Sequence, residues 1–378
     1  MKITAQELNR ATLARQLLLG RQRLDVVEAA RRIVALQAQQ AASPYIALWN
    51  RLTDFDPAGL DVAFTEGTLV KATLMRITLH AVHADDHPAM QAAMLPTLRG
   101  ARLGDRRFTS SGLSAADADA LVPDLLEFAA RPRTSGELQA WIAERLGIPP
   151  EGVWWAVRSF APLRHAPTGG PWSFGSRNSY VAAGMPASGG REIADKHLQA
   201  LAQRYLEGFG PGSAADLAQF ALVPRGRARD ALAALSGVLE RLEGPGGTEL
   251  YDVPGAPRPA GDTPAPPRLM AMWDSILLAY ADRARVIPPD YRKLVIRSNG
   301  DVLPTLLVDG YVAGVWRPVD GGIEAAAFHP LPAEVWEGLA AEARSLAALL
   351  AARQPHPYRR YDRWWTFLPD TQVRVLLA

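Results

Sequence analysis

Apolar side chains keep two different rhythms along the chain. From residue 5 to about 235 they recur every three to four positions, the spacing of helices with one buried stripe, broken by short strand-like runs. From 293 onward they fall into strands separated by turn dipeptides. In the N-terminal stretch the pattern predicts helices near 5–17, 25–38 and 43–53, then strand-like "TLVKATLMRITLHAVHA".

Thr4-x-x-Glu7-Leu8, Thr134-x-x-Glu137-Leu138 and Ser213-x-x-Asp216-Leu217 each set a hydroxyl three residues before a carboxylate and then begin an apolar stripe. These are capping-box signatures, with Asp a weaker partner than Glu. The second and third are followed, after Pro149-Pro150 or Pro224, by another helix (153–163 and 226–235) and by paired β-like pieces: "RHAPTGGPWSF" with "SYVAA", and "GVLERLEG" with "TELYDV". Helix, turn, helix and a two-stranded wing is the order of a winged helix. The reading is α+β and predominantly helical: winged-helix units over 1–130, 131–190 and 191–268, with the alternative that any helical protein carries several capping boxes.

The segment 269–378 differs. "RKLVIRSNGDVLPTLLVDGYVAGVW" alternates apolar strands with Asn299-Gly300 and Asp309-Gly310, dipeptides suited to tight hairpins. A C-terminal antiparallel β sheet is expected, then a helix over about 332–352 and a Pro- and Arg-rich tail. The proline-rich "VPGAPRPAGDTPAPPR" (253–268) reads as an exposed joining loop.

Composition narrows the function classes. The 378 residues are 48% hydrophobic and 21% charged, with no apolar run near the roughly 20 residues a membrane helix requires. The polar N-terminus resembles no secretion signal, so a cytoplasmic, nucleoid-associated protein is expected. Without cysteine there is no thiolate zinc site, iron–sulfur cluster, thiol nucleophile or disulfide. Net charge is only +2, but the basic residues are 37 arginines and four lysines. That bias suits bidentate phosphate contacts and is equally what a GC-rich genome produces.

Candidate chemistry is sparse. "HAVHADDHPAM" gathers His80, His83, His87, Asp85 and Asp86, yet on a strand His80 and His83 face opposite ways, and Asp85 or Asp86 stands where a helix N-cap belongs. No metal and no cofactor are expected. There is no G-x-S-x-G elbow, Walker loop or G-x-G-x-x-G after a strand. "MWDSILLAYADRARVIP" (272–288) places Asp274, Asp282, Arg283 and Arg285 around an apolar stripe, either as part of a site or as a solvated helix with internal ion pairs.

One stretch resists an ordinary explanation. "LQAQQAASPYIALWNR" (36–51) closes a helix with three glutamines, Gln37, Gln39 and Gln40, which neither titrate nor attack. On a regular helix Gln37 and Gln39 would lie about 200° apart, so the helix is expected to end or unwind near Gln37 and let both amides face a cleft. The plain alternative is that they cap the helix end.

Together "LNRATLARQLLL", "LQAQ…SPYIALWNR", "TLMRITLH", "MWDSILLAYADRARV" and "LLVDGYVAGVW" resemble the AlkZ-type DNA glycosylases, related to the YcaQ group and also grouped with winged-helix DNA-binding-domain proteins. The likeness runs from about residue 5 to 330. It implies three winged-helix units around a DNA-binding concavity, removal of N7-alkylated purines, and unhooking of interstrand crosslinks such as those of azinomycin-type bis-alkylators, in repair or self-resistance. The partner implied is double-stranded DNA carrying such lesions, and a monomer is expected. The family's catalytic Gln-apolar-Gln maps onto Gln37-Ala38-Gln39; the related branch has Asp at the second position, and this chain does not. Candidates for DNA or lesion binding from the same motifs are Ser43, Arg51, Lys71, Arg76, Thr78, His80, Trp273, Asp274, Arg283 and Arg285, with Lys71 an exposed strand-edge cation contacting phosphate.

The chemistry agrees with the resemblance. An N7-alkylated purine is already cationic, so its glycosidic bond is weakened and the base leaves neutral without protonation. What remains is to hold a water beneath the anomeric carbon, and a side-chain amide can accept from that water and donate to a sugar or phosphate oxygen. A neutral amide also avoids the cost of desolvating a carboxylate. The alternative class is a non-enzymatic winged-helix transcription factor; the Gln pair speaks against it, as does a 25–38 helix whose only basic residues are Arg31 and Arg32.

Overall fold

The computed structural model describes residues 1–185, 189–369 and 372–377. It is an α+β fold in which helices outnumber strands. The chain begins with α1 (Ala5–Arg15), α2 (Val26–Arg32), β1 (Leu36–Gln37), α3 (Ser43–Trp49), α4 (Pro57–Glu66), β2 (Leu69–Thr73), β3 (Leu79–His83) and the long α5 (His87–Leu103). Next come α6 (Arg106–Thr109), α7 (Ala115–Phe128), β4 (Arg133–Thr134), α8 (Ser135–Leu146), α9 (Glu151–Phe160), β5 (Leu163–Ala166) and β6 (Ser179–Ala182). They are followed by α10 (Arg191–Phe209), α11 (Ala214–Ala221), α12 (Arg225–Ala234) and the hairpin β7 (Glu240–Glu243) with β8 (Glu249–Asp252). The C-terminal part holds β9 (Arg268–Leu269), α13 (Arg292–Val295), β10 (Thr305–Val308), β11 (Tyr311–Val319), β12 (Gly322–Ala327), α14 (Ala333–Arg353) and β13 (Gln372–Leu377).

The capping boxes at Thr4, Thr134 and Ser213 all form, each hydroxyl accepting from the third helical N–H while the carboxylate accepts from the cap N–H. A fourth, Ser114 with Asp117, starts α7. The two expected wings nearest the N-terminus are not separate sheets. Lys71 of β2 pairs with His165 of β5, joining them into one six-stranded antiparallel sheet in the order β1-β3-β2-β5-β6-β4. That one bridge brings together two strand edges that would otherwise stand open. The long helices α5 and α10 pack side by side, and α9 lies against α5.

The C-terminal sheet runs β13-β12-β11-β10-β9, so the chain's last strand returns to it rather than ending as a loose tail. Asp309 and Gly310, both left-handed with φ +46 and +80, form the expected tight turn between β10 and β11. Within 253–268 there is no regular element until Arg268, which is buried and begins β9. No helix among the described residues is long and apolar enough to cross a membrane.

Candidate active site

The helix predicted over 25–38 stops at Arg32. Val34 turns left-handed at φ +73, and the chain leaves as β1 because β3 offers an unpaired edge. Leu36 pairs with Ala81 and Gln37 with His80. The ladder continues as Ala38 N donates to Leu79 O at 2.8 Å. Strand pairing, not helix unwinding, therefore sets the two amides. Gln37 is buried at 3% exposure, whereas Gln39 is exposed just beyond the strand. Its Oε1 accepts from Leu79 N at 3.4 Å.

Gln37 sits in a closed polar network. Arg76 Nη2 donates to Gln37 Oε1 at 2.9 Å, and Gln37 Nε2 donates to Thr78 Oγ1 at 3.0 Å. Because a guanidinium only donates, this contact fixes which end of the amide is the carbonyl. Thr78 Oγ1 donates in turn to Met75 O at 3.0 Å. His80 Nδ1 faces Thr78 O at 3.1 Å and Nε2 faces Arg76 Nη2 at 3.2 Å, so the imidazole is neutral with its proton on Nδ1. Burial first, then the Arg76 charge, pushes His80 down to about 3, against the opposing pull of its bond to Thr78. With both ring nitrogens engaged, His80 is no metal ligand. Among the described residues no group of three or more His, Asp or Glu side chains is arranged to hold a metal ion.

The turn that delivers Arg76 and Thr78 is strained. Arg76 and Ile77 both have positive φ, +55 and +59, costly for non-glycine residues and most of all for a β-branched one. Val34 and Trp273 (φ +56) add two more such residues. Val34 precedes β1, and Trp273 precedes the Asp274 and Ser275 that line a crevice with Gln37. That crevice, ≈ 10 Å³, is closed by Gln16, Ser43 and Arg51. Ser275 Oγ donates to Ala35 O at 2.7 Å, tying this layer to the strand.

Several sequence candidates are thus held inside the protein. Arg51 and Asp274 form a bidentate pair at 2.9 Å for each contact, each side chain 1% exposed. Ser43 Oγ meets Tyr358 OH at 3.0 Å, and Trp273 Nε1 donates to Gly300 O at 3.0 Å. The segment 272–288 is not a solvated helix: short 3-10 turns at Ser275–Leu277 and Arg283–Arg285 are capped by Asp274 and Asp282. Arg283 donates to Leu277 O, and burial followed by Arg292 brings its pKa down to about 10. Arg285 donates to Pro211 O and lies 4.1 Å over the Tyr280 ring. Asp86 stands at the N-cap of α5 without a capping bond; its carboxylate takes Arg204 instead. Lys71 is not exposed: at 5% exposure its ammonium rests 4.4 Å over Phe174, and burial lowers its pKa to about 8.

Gln39 and Thr78 line a cavity of ≈ 230 Å³ between the β2–β3 turn and the second group of elements. Its far wall carries Arg102, Arg158, His165 and Tyr180, which no sequence motif marks because α5, α9, β5 and β6 meet here only through the fold. The C-terminal segment also reaches the site, Gln40 Nε2 donating to Tyr361 OH at 2.7 Å.

The amide of Gln37, fixed by Arg76 and Thr78 with a neutral His80 beside it, thus lies behind a cavity lined by Gln39, Arg102 and Arg158. Residues 30–349 match the family described as DNA glycosylase AlkZ-like, and the chain belongs to that family of DNA glycosylases. Its structure is similar to that of Streptomyces sahachiroi DNA glycosylase AlkZ at 19% sequence identity, with a TM-score of 0.76 over 92% of this chain and 96% of that one. No curated protein sequence matches the chain. The resemblance carried by the sequence motifs is therefore shown: the protein is an enzyme acting on DNA.

Proposed function

We propose that this glycosylase hydrolyses the N-glycosidic bond of N7-alkylated purines, using Gln39 at the reacting centre and Gln37 behind it, and that it also unhooks interstrand crosslinks such as azinomycin-type adducts. One observation carries the reading. The amide at the core of the site is locked by Arg76 and Thr78, and the nearest titratable base, His80, is neutral. Protonating a leaving base would require an acid here; expelling a cationic purine requires none. Gln39, exposed at the cavity rim with its NH2 unspent among the described residues, can position water and sugar.

Crosslink unhooking rests on that same exposure. Most glycosylases rotate the base into a closed pocket, which a base tethered to the opposite strand cannot enter; an amide at an open rim acts on the nucleotide in place. A monomer acting on duplex DNA is sufficient.

The test uses duplexes with one 7-methylguanine or one N7-linked crosslink, with chelator present, resolved on denaturing gels before and after alkali. Base release and unhooking should occur, with strand breaks only after alkali, because the sole amine of the N-terminal part past residue 2, Lys71, is packed on Phe174 and forms no Schiff base. Breaks without alkali would sink the monofunctional reading, and release of single adducts without unhooking would confine the enzyme to small lesions.

Single-turnover base release should also be flat between about pH 5.5 and 7.5, since amides do not titrate and His80 stays neutral throughout. Stability behaves differently. Unfolding frees His80 to its ordinary pKa near 6.5, so below that value the unfolded state binds a proton the folded state refuses, and stability falls as pH drops toward about 3. An acid limb in the rate with a midpoint near 6 would contradict a neutral His80.

A further inference from the structure

The cavity beside Gln39 has an electrostatic character that the amide chemistry leaves unused. Among the described residues no carboxylate lines it, and two arginines do. Arg102 lies 4.3 Å over the Trp155 ring and donates only its Nε, to Ser159 Oγ at 3.1 Å, so its terminal nitrogens have no protein acceptor among the described residues. The one acid close to it, Asp105, is already gripped by Arg107 at 3.0 Å. Arg158 faces the Tyr180 hydroxyl, and no carboxylate within the described residues pairs with it.

These cations feel one another. Arg102 is pushed down by burial and then by Arg107 and Arg158. His165 is pushed down by burial and then by Lys71 and Arg158, so it adds no charge of its own. Converging cations held together without a counter-charge are stabilised by a ligand that supplies it.

We propose that this cavity is a phosphate subsite in which Arg102 and Arg158, assisted by the neutral donors Asn178 and Tyr180, hold one backbone phosphodiester next to the lesion nucleotide and set its sugar against Gln39. The assignment rests on the reading of Gln39 as the reacting centre. The occupant is not the damaged base: an N7-alkylated purine is a cation, and this wall repels it. It is not a free nucleotide either, since ≈ 230 Å³ is smaller than the ~300 Å³ at which small-molecule pockets begin. A phosphodiester entering from the rim, its sugar left at Gln39, satisfies both limits. The arginines expected from sequence to contact phosphate, Arg76, Arg283 and Arg285, are spent on a side-chain amide and backbone carbonyls, whereas Arg102 and Arg158 line the cavity beside Gln39 without a carboxylate partner among the described residues.

The experiment couples a protein charge to a single DNA charge. Duplexes with one 7-methylguanine carry a methylphosphonate at each backbone position around the lesion in turn. The wild-type chain should lose about tenfold in kcat/KM at one position, the scale of one charged phosphate contact. Arg158→Gln should lose about as much on unmodified DNA and nothing further at that position, whereas Arg158→Lys should recover most of the loss. Arg102→Gln provides a second, independent variant with the same expected coupling. Equal wild-type rates at every position, or losses that multiply in the variants, would overturn the subsite. If the wild type releases no 7-methylguanine from unmodified duplex, the lesion reading has failed rather than the subsite. The same coupling is then read in equilibrium affinity for a duplex holding a stable abasic analogue, where its presence supports the subsite and its absence refutes it.

Discussion

Gln39→Ala is expected to slow base release by about 10² or more while leaving DNA affinity and folding nearly intact, the scale of losing a group that positions a reactant. The side chain is exposed, and its one hydrogen bond among the described residues, accepted from Leu79 N, is long at 3.4 Å. Gln37→Ala should differ in kind. It strips the acceptor from a partly buried Arg76 and the donor from Thr78, so stability should fall together with rate, by about 1.5–3 kcal/mol for a hydrogen bond to a charged group. Single-turnover kinetics and denaturant titration of both variants separate the cases. Wild-type excision by both would remove the amides from the mechanism; a rate loss in Gln39→Ala matched by equal unfolding would make Gln39 structural.

What the sequence made legible follows from how local each signal is. Capping boxes and the Asp309-Gly310 turn are decided within four residues, and they appear where read. The helix expected over 25–38 gives way to a strand because "IVAL" suits helix and strand alike, and the edge of β3, more than forty residues later, decides between them. Lys71 looked like a surface cation because nothing nearby reveals that β5 will pair with β2 and bring Phe174 over its ammonium.

The family-like motifs were visible, but their individual roles were not. Asn9 of "LNRATLARQ" donates to Gly310 O and to Arg285 O at 2.8 Å, so that motif clamps the first helix onto the hairpin of "LLVDGYV". Burial hides such contacts from any reading of the sequence one stretch at a time, and it turns residues that look like a binding face into the frame behind the site.

The same logic gives the prediction with the largest effect on stability. Asp274→Ala should destabilise the fold by about 3–5 kcal/mol, the cost of leaving a buried charge without its partner. Arg51 then has no carboxylate, and Ala47 O and a distant Gln16 Oε1 at 3.4 Å do not replace one. Ile276 N would also lose the Asp274 oxygen that caps its turn. Arg51→Met with Asp274→Leu should cost less than the two single losses combined, since it removes the unpaired charge along with its partner. Because this pair, Gln16 and Ser275 close the crevice behind Gln37, Asp274→Ala should slow excision even under conditions where the variant remains folded. Denaturant midpoints for the two single variants and the double measure the coupling, and single-turnover excision well below the unfolding transition measures its reach. Additive losses of less than about 1 kcal/mol each would mean that the charges are solvated and the pair does not hold the site. Full stability loss with wild-type excision by the folded fraction would separate the frame from the chemistry and leave the position of Gln37 to Arg76 and Thr78 alone.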